Sequence, residues 1–145
     1  MITHSIEIDR RPEDVFAYVD QLERHGEWQS SIVRTRVETE GPVRVGTRVV
    51  DTRRIGSREQ DVPYEITAYD PPRTSSFRGV AGPIRPVGTM RVDPLGDGSR
   101  SRVTLDMDLK GHGLGILLAP IARRQARTEV GQSHAKLKEI LERGA

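Results

Sequence analysis

Residues 102–142 read RVTLDMDLKGHGLGILLAPIARRQARTEVGQSHAKLKEILE, and a change of period inside this stretch decides the fold. Val103, Leu105, Met107 and Leu109 alternate with Arg102, Thr104, Asp106, Asp108 and Lys110, the two-residue period of a strand with one dry face. After Gly111-His112-Gly113 the chain turns helical to its end. Leu114, Leu117, Leu118, Ile121, Val130, Leu137, Ile140 and Leu141 are the apolar positions of that helix. Pro120 predicts either a kink or the true helix start. From Pro120 to Glu142 the helix would run roughly 35 Å. Such a helix must lie across the dry face of an antiparallel sheet, because no other element remains to cover it.

Working back from that stretch, strand follows strand. Residues 31–39, 46–55, 60–69, 74–80, 88–92 and 94–99 are β-rich and broken by Gly41-Pro42, Gly56-Ser57 and Asp70-Pro71-Pro72. Gly96-Asp97-Gly98 is a hairpin signal. The short turns imply an antiparallel meander. At the start of the chain, Ile6 and Ile8 alternate with Glu7 and Asp9 as a first strand. Pro12-Glu13-Asp14 then opens a helix, since proline suits a first helical position and acids favour the positive end of the dipole. A second short helical piece is predicted from Leu22 towards Trp28. The class is therefore α+β: an antiparallel curved sheet of about seven strands wrapped on a long C-terminal helix, with two short helices after the first strand. At 145 residues, 1–145 reads as a single domain.

Composition narrows the chemistry. Charged residues make up 30% with a net charge of +2, which fits neither a polybasic nor a strongly acidic protein. Without cysteine there is no disulfide, thiolate metal site or cysteine nucleophile. No apolar run approaches the ~18 residues of a membrane span. The N-terminus lacks a signal-peptide pattern, so a cytoplasmic location without stable membrane insertion is expected.

The order of elements, with the residues that mark it, resembles the helix-grip fold of the START/Bet v 1-like (SRPBCC) superfamily, and within it the polyketide cyclase/dehydrase and lipid-transport group. The marks are Pro12 to Val19 with Trp28, Tyr64 to Arg73, Gly82-Pro83, Gly96 to Arg100, and Leu118 to Arg124. They span essentially the whole chain and are structural rather than catalytic. The resemblance implies an apolar ligand held between sheet and long helix, and in the aromatase/cyclases of the group a poly-β-keto chain.

The residues describe such a cavity on their own terms. Mid-helix, Ala122, Ala126, Gly131, Ser133 and Ala135 are small, where flush packing calls for large side chains. Gln125, Thr128 or Gln132 would be polar pegs, and Leu117 and Ile121 apolar lining. From the sheet, Val62, Tyr64, Ile66, Phe77, Met90, Val92, Leu105 and Met107 are the candidates. Tyr64 brings a hydroxyl into an apolar wall, where it orients a ligand oxygen or bonds to backbone. Trp28 closes one end of the cavity or anchors the core. In strand 46–55 the inward face is open between the Val49/Asp51/Arg53 set and the Arg48/Val50/Thr52/Arg54 set. An inward Arg53 or Arg54 would be the best anion or carbonyl anchor. Residues 79–88, rich in glycine and proline, resemble a gating loop or form an extended hairpin tip.

Other chemistries lack their signatures. His4, His25, His112 and His134 show no paired metal spacing, and no metal or cofactor is expected. There is neither a nucleophile elbow nor a phosphate loop. Asp106 and Asp108 share a wet face with Arg102 and Lys110, which fits cross-strand ion pairing. Arg34, Arg36 and Arg91 belong to the same face. Six aromatics, not interleaved with basic residues, argue against nucleic-acid binding. Arg123-Arg124-Gln125-Ala126-Arg127 is a basic cluster suited to an anionic membrane surface or an acidic partner, or simply to solvent.

The expected function is binding of a small hydrophobic ligand as carrier, sensor or storage protein. The alternatives are a polyketide aromatase/cyclase, with catalytic residues unassigned, and a quinone or lipid chaperone working with a protein partner. A homodimer is compatible with the reading.

Overall fold

The computed structural model describes residues 1–144. The elements run β1 (Ile2–Ile8), α1 (Pro12–Val19), a 3-10 helix (Leu22–Glu27), β2 (Ile32–Val37), β3 (Arg48–Ile55), β4 (Arg58–Asp70), β5 (Thr74–Gly79), β6 (Ile84–Leu95), β7 (Arg100–Gly111) and α2 (Gly115–Glu142). The strands form one sheet in the order β1-β7-β6-β5-β4-β3-β2, every neighbouring pair antiparallel. Helix α2 packs on β1, β7 and β6 and also reaches β3. One helix touches strands so far apart in the order because the twisted sheet curls around it.

Local causes are plain for most elements. Pro12 sits in the first turn of α1 with Glu13 and Asp14, and Val15, Phe16, Tyr18 and Val19 turn inward. They join Ile8, Val92, Val103, Leu137 and Leu141 in one core cluster. A second cluster lies under the first half of α2, where Ile2, Ile84 and Leu109 meet Ala119, Ala122 and Ala126.

The buried stripe of α2 is Gly115, Ala119, Ala122, Ala126, Val130, Ser133, His134, Leu137 and Leu141. These positions step by three and four and stay on one face. The face is small at its start and large at its end. The helix begins at Gly115 and runs through Pro120, so Pro120 is not the start of the helix. Its first turn is seated tightly on the β5–β6 turn. A Cβ at Gly115 would fall on the Pro83 carbonyl, and His112 N–H donates to that same carbonyl at 2.9 Å.

Two further expectations change in detail. Residues 84–88 belong to β6, paired with β7 from Ile84↔Gly111 onward, so the glycine- and proline-rich connection shrinks to residues 80–83. Gly131 faces His4 rather than open space, with a Cβ there 3.7 Å from His4 Nε2. On the outer face Arg34, Arg36, Arg91 and Arg102 are exposed. Asp106 accepts from Arg91 Nη1 at 2.9 Å and from Thr3 Oγ1 at 2.8 Å. Asp108 pairs with Arg123 across to α2 at 3.6 Å.

Both edges of the sheet carry distinctive side chains. Beside β1, Lys138 Nζ donates to the Glu7 carbonyl at 2.7 Å, and Glu142 accepts from the Asp9 N–H at 2.8 Å. At the other edge β2 is six residues long, with a register shift between Ile32 and Arg34 and exposed Arg34 and Arg36.

Candidate functional site

Between the sheet and α2 lies a cavity of about 190 Å3. Its volume follows from the small half of the α2 stripe, because Ala122 and Ala126 line it where longer side chains would fill it. Of the residues the sequence points to, Trp28, Tyr64, Ile66, Phe77, Met90, Leu105, Met107 and Gln125 line this space.

Four others do not. Val92 is fully buried in the core against α1 and the end of α2. Leu117 and Ile121 are 76% and 55% exposed, because the sheet side of their helix belongs to Ala119 and Ala122. Thr128 borders a separate outer groove with Ser30, Arg54 and Gln132. Gln125 lines the cavity, but its amide bonds elsewhere. It donates to the Arg54 carbonyl at 2.7 Å and accepts from the Gly56 N–H at 2.9 Å, tying α2 to the β3–β4 turn.

The inward face of β3 is Val49, Asp51 and Arg53. Asp51 and Arg53 line the cavity, whereas Arg54 points out to Glu59 at 3.4 Å. Arg53 is held from three sides. Its Nη1 donates to Ser31 Oγ at 2.9 Å, and its Nη2 to Gln29 Oε1 at 2.6 Å and to Asp51 Oδ2 at 3.3 Å. Asp51, only 2% exposed, also accepts from Thr35 Oγ1 at 2.7 Å. The guanidinium has five N–H groups, so two remain unbonded among the described residues.

Two more residues of the cavity lining, Trp28 and Tyr64, carry donors without partners among the described residues. The Trp28 indole N–H is buried and unbonded among the described residues. An unmet buried donor costs about 1–3 kcal/mol. The Tyr64 hydroxyl makes no hydrogen bond among the described residues, and its ring meets Phe77 edge-on at 6.0 Å. Burial, reinforced by Asp51 and only partly offset by Arg53, pushes the Tyr64 phenol far above its ordinary value. Tyr64 is therefore a donor and not a base at neutral pH.

Histidines complete the wall. His25 donates from Nε2 to the Val19 carbonyl at 2.6 Å, and burial pushes its pKa down. His134, on the α2 stripe, meets His4 of β1 with Nδ1 to Nδ1 at 2.7 Å. One ring donates and the other accepts. Burial first, and then His4, lowers the His134 pKa from 6.5 to about 4.

The linkage has a definite sign. Between these values the unfolded chain binds the proton and the folded chain does not, so stability rises with pH and levels off above pH 6.5. Acidification from about pH 6.5 to about 4 is expected to remove up to about 3 kcal/mol through this group. Urea unfolding at a series of pH values checks it. His134→Gln should flatten the slope, and an equal slope in the variant would assign it to other groups.

Sequence reasoning missed Gln29, His134 and Glu129 as cavity residues and left Asp51 open with the other residues of its parity. Glu129 is held by the Ser31 N–H at 2.7 Å. His134 had a usable signal, since it lies three residues before Leu137 on the same helical face. Gln29 had none.

The family described as polyketide cyclase/dehydrase and lipid transport matches residues 1–142, and the chain belongs to it. An uncharacterized protein of Mycobacterium tuberculosis is 25% identical over 139 residues, covering 95% of this chain and 94% of that one. Among solved structures, the Zhui aromatase/cyclase of Streptomyces sp. R1128 superposes with a TM-score of 0.80 at 12% identity, over 98% of this chain and 93% of that one. A START superfamily protein of Mycobacterium smegmatis gives 0.71 at 12% identity, over 97% and 93%. At those identities the structural likeness speaks for the fold alone.

Proposed function

We propose that this member of the polyketide cyclase/dehydrase and lipid transport family holds one compact hydrophobic molecule bearing an oxygen acceptor, as a carrier, sensor or storage protein. The observation that carries the reading is the asymmetry of the cavity. Ile66, Phe77, Met90, Leu105, Met107 and the α2 alanines make an apolar wall, while the unpartnered Tyr64 O–H stands close to Asp51 and Arg53. An apolar body gains from the wall in proportion to the area it buries. A carbonyl or phenol oxygen accepts from the Tyr64 hydroxyl, which otherwise goes unmet. In this reading the whole chain acts as one domain around that ligand.

Size favours a small occupant. At about 190 Å3 the cavity is below the roughly 300–1,000 Å3 usual for small-molecule sites. The aromatase/cyclase reading has the family's description and the Arg53–Tyr64 donors in its favour. It needs the cavity to widen for a poly-β-keto chain. Turnover of such a substrate would establish it.

Titration calorimetry with 1-tetralone and tetralin tests the binding role. Tyr64→Phe is expected to weaken the ketone by about 0.5–1.5 kcal/mol, the worth of one hydrogen bond, and to leave the hydrocarbon unchanged. Equal losses for both, or none for either, would reject Tyr64 as the orienting group. Failure of both probes on the unaltered protein would reject the cavity as a site for compact ligands. Native mass spectrometry of protein from its own host would identify the occupant.

A further inference from the structure

The first two turns of α2 present large aliphatic side chains to solvent. Leu114 is 81% exposed, Leu117 76%, Ile116 65%, Ile121 55% and Leu118 37%. Leu114, Leu117, Leu118 and Ile121 are related by three- and four-residue steps and form one flank. Ile116 projects from the other flank. The cause is the small-residue stripe, which gives the sheet side to Gly115, Ala119 and Ala122 and leaves the aliphatics no core to enter. A contiguous apolar patch of this kind on a domain surface marks an interaction site.

The charge around it is one-sided. No acidic residue occurs between Asp108 and Glu129, whereas Lys110, Arg123, Arg124 and Arg127 all do. Arg123 answers Asp108. Lys110, Arg124 and Arg127 are exposed and have no ion-pair partner among the described residues. The aliphatics occupy the tip of the helix, and Arg124 and Arg127 follow one to two turns later. That order matches a lipid interface, where apolar side chains enter the acyl boundary and guanidinium groups stay at phosphate depth. The patch holds no aromatic residue, although protein interfaces concentrate their affinity in tryptophan, tyrosine and arginine.

We propose that the N-terminal turns of α2 dock reversibly on the surface of an anionic lipid bilayer. The helix end inserts Leu114, Leu117, Leu118 and Ile121 shallowly, and Arg124 and Arg127 pair with lipid phosphates. Ala122 and Ala126 of the same helix line the cavity, so docking brings that end of the cavity to the membrane. The inference concerns the outer surface and holds whichever molecule the cavity takes.

Cosedimentation with phosphatidylcholine vesicles, with and without phosphatidylglycerol, tests it. The protein should pellet with the anionic vesicles, less so at high salt, and weakly with the neutral ones. Leu117→Glu, and separately Arg124→Glu with Arg127→Glu, should each lower the bound-to-free ratio roughly tenfold. Tetralin binding and the melting temperature report whether each variant keeps its fold, and Ile116→Glu repeats the test from the other flank. Absence of vesicle binding, or equal binding by all variants, overturns the proposal. So does a wild-type dimer that Leu117→Glu converts to monomer without any vesicle binding, which would make the face an interface between two copies.

Discussion

Substituting Arg53 by methionine is expected to lower stability by about 3 kcal/mol and to weaken any oxygen-bearing ligand of the cavity. Asp51 is 2% exposed and shares its charge only with Arg53 and the Thr35 hydroxyl. Removing the guanidinium leaves a carboxylate buried without a counter-charge, a change that typically costs about 3–5 kcal/mol. The lower end applies because the Arg53 side chain keeps a quarter of its surface in contact with solvent. Adding Asp51→Leu should return most of the loss, since an apolar pair of similar volume is often as stable as an ion pair. Urea unfolding of the three proteins distinguishes these cases. If the double variant is no more stable than Arg53→Met, the defect lies in packing and not in the stranded charge.

A second large effect is expected at Gly115. The Pro83 carbonyl occupies the place of a Cβ there, so Gly115→Val must push the first turn of α2 away from the β5–β6 turn. The loss should reach at least about 3 kcal/mol, the upper range of overpacking, because backbone on both sides leaves nothing flexible to yield. Leu114→Ser, one residue away and exposed, should change stability by less than about 0.5 kcal/mol. Thermal melting of the two variants separates the seat of the helix from its solvent side. Similar melting of Gly115→Val and wild type would mean that the helix end reseats at no cost.

Much of the fold was legible because its signals are local. Two-residue alternation in β4 and β7, the Gly96-Asp97-Gly98 turn and the Pro12 helix start each act within a few residues. The facing of α2 is set by period and not by side-chain size. Size alone points to the large aliphatics as the inward set and puts Leu117 and Ile121 on the ligand. Stepping back by threes and fours from Leu141 and Leu137 instead reaches Val130, Ala126, Ala122, Ala119 and Gly115, the face the sheet covers. Period outranked size at this helix.

The β3 face could not be read in the same way, because both parities of 48–54 carry valine and arginine. Only pairing with β2 and the bonds that Arg53 donates to Gln29 and Ser31 place Arg53 inward. The sequence leaves Trp28 between a cavity end and a core anchor, and its unmet N–H has no sequence signal, since satisfaction depends on every neighbour at once.

An open sheet has two borders at which a foreign strand could pair, and in this protein both are blunted. On one, the flanking main-chain groups of Glu7 and Asp9 are engaged by Lys138 and Glu142 of α2. On the other, β2 is short, irregular in register and armed with Arg34 and Arg36. Main-chain zippering into fibrils or domain-swapped chains is thereby opposed at each end. Self-association, where it occurs, must run through side chains, and the protein can expose an apolar helix tip without its sheet becoming a template for aggregation.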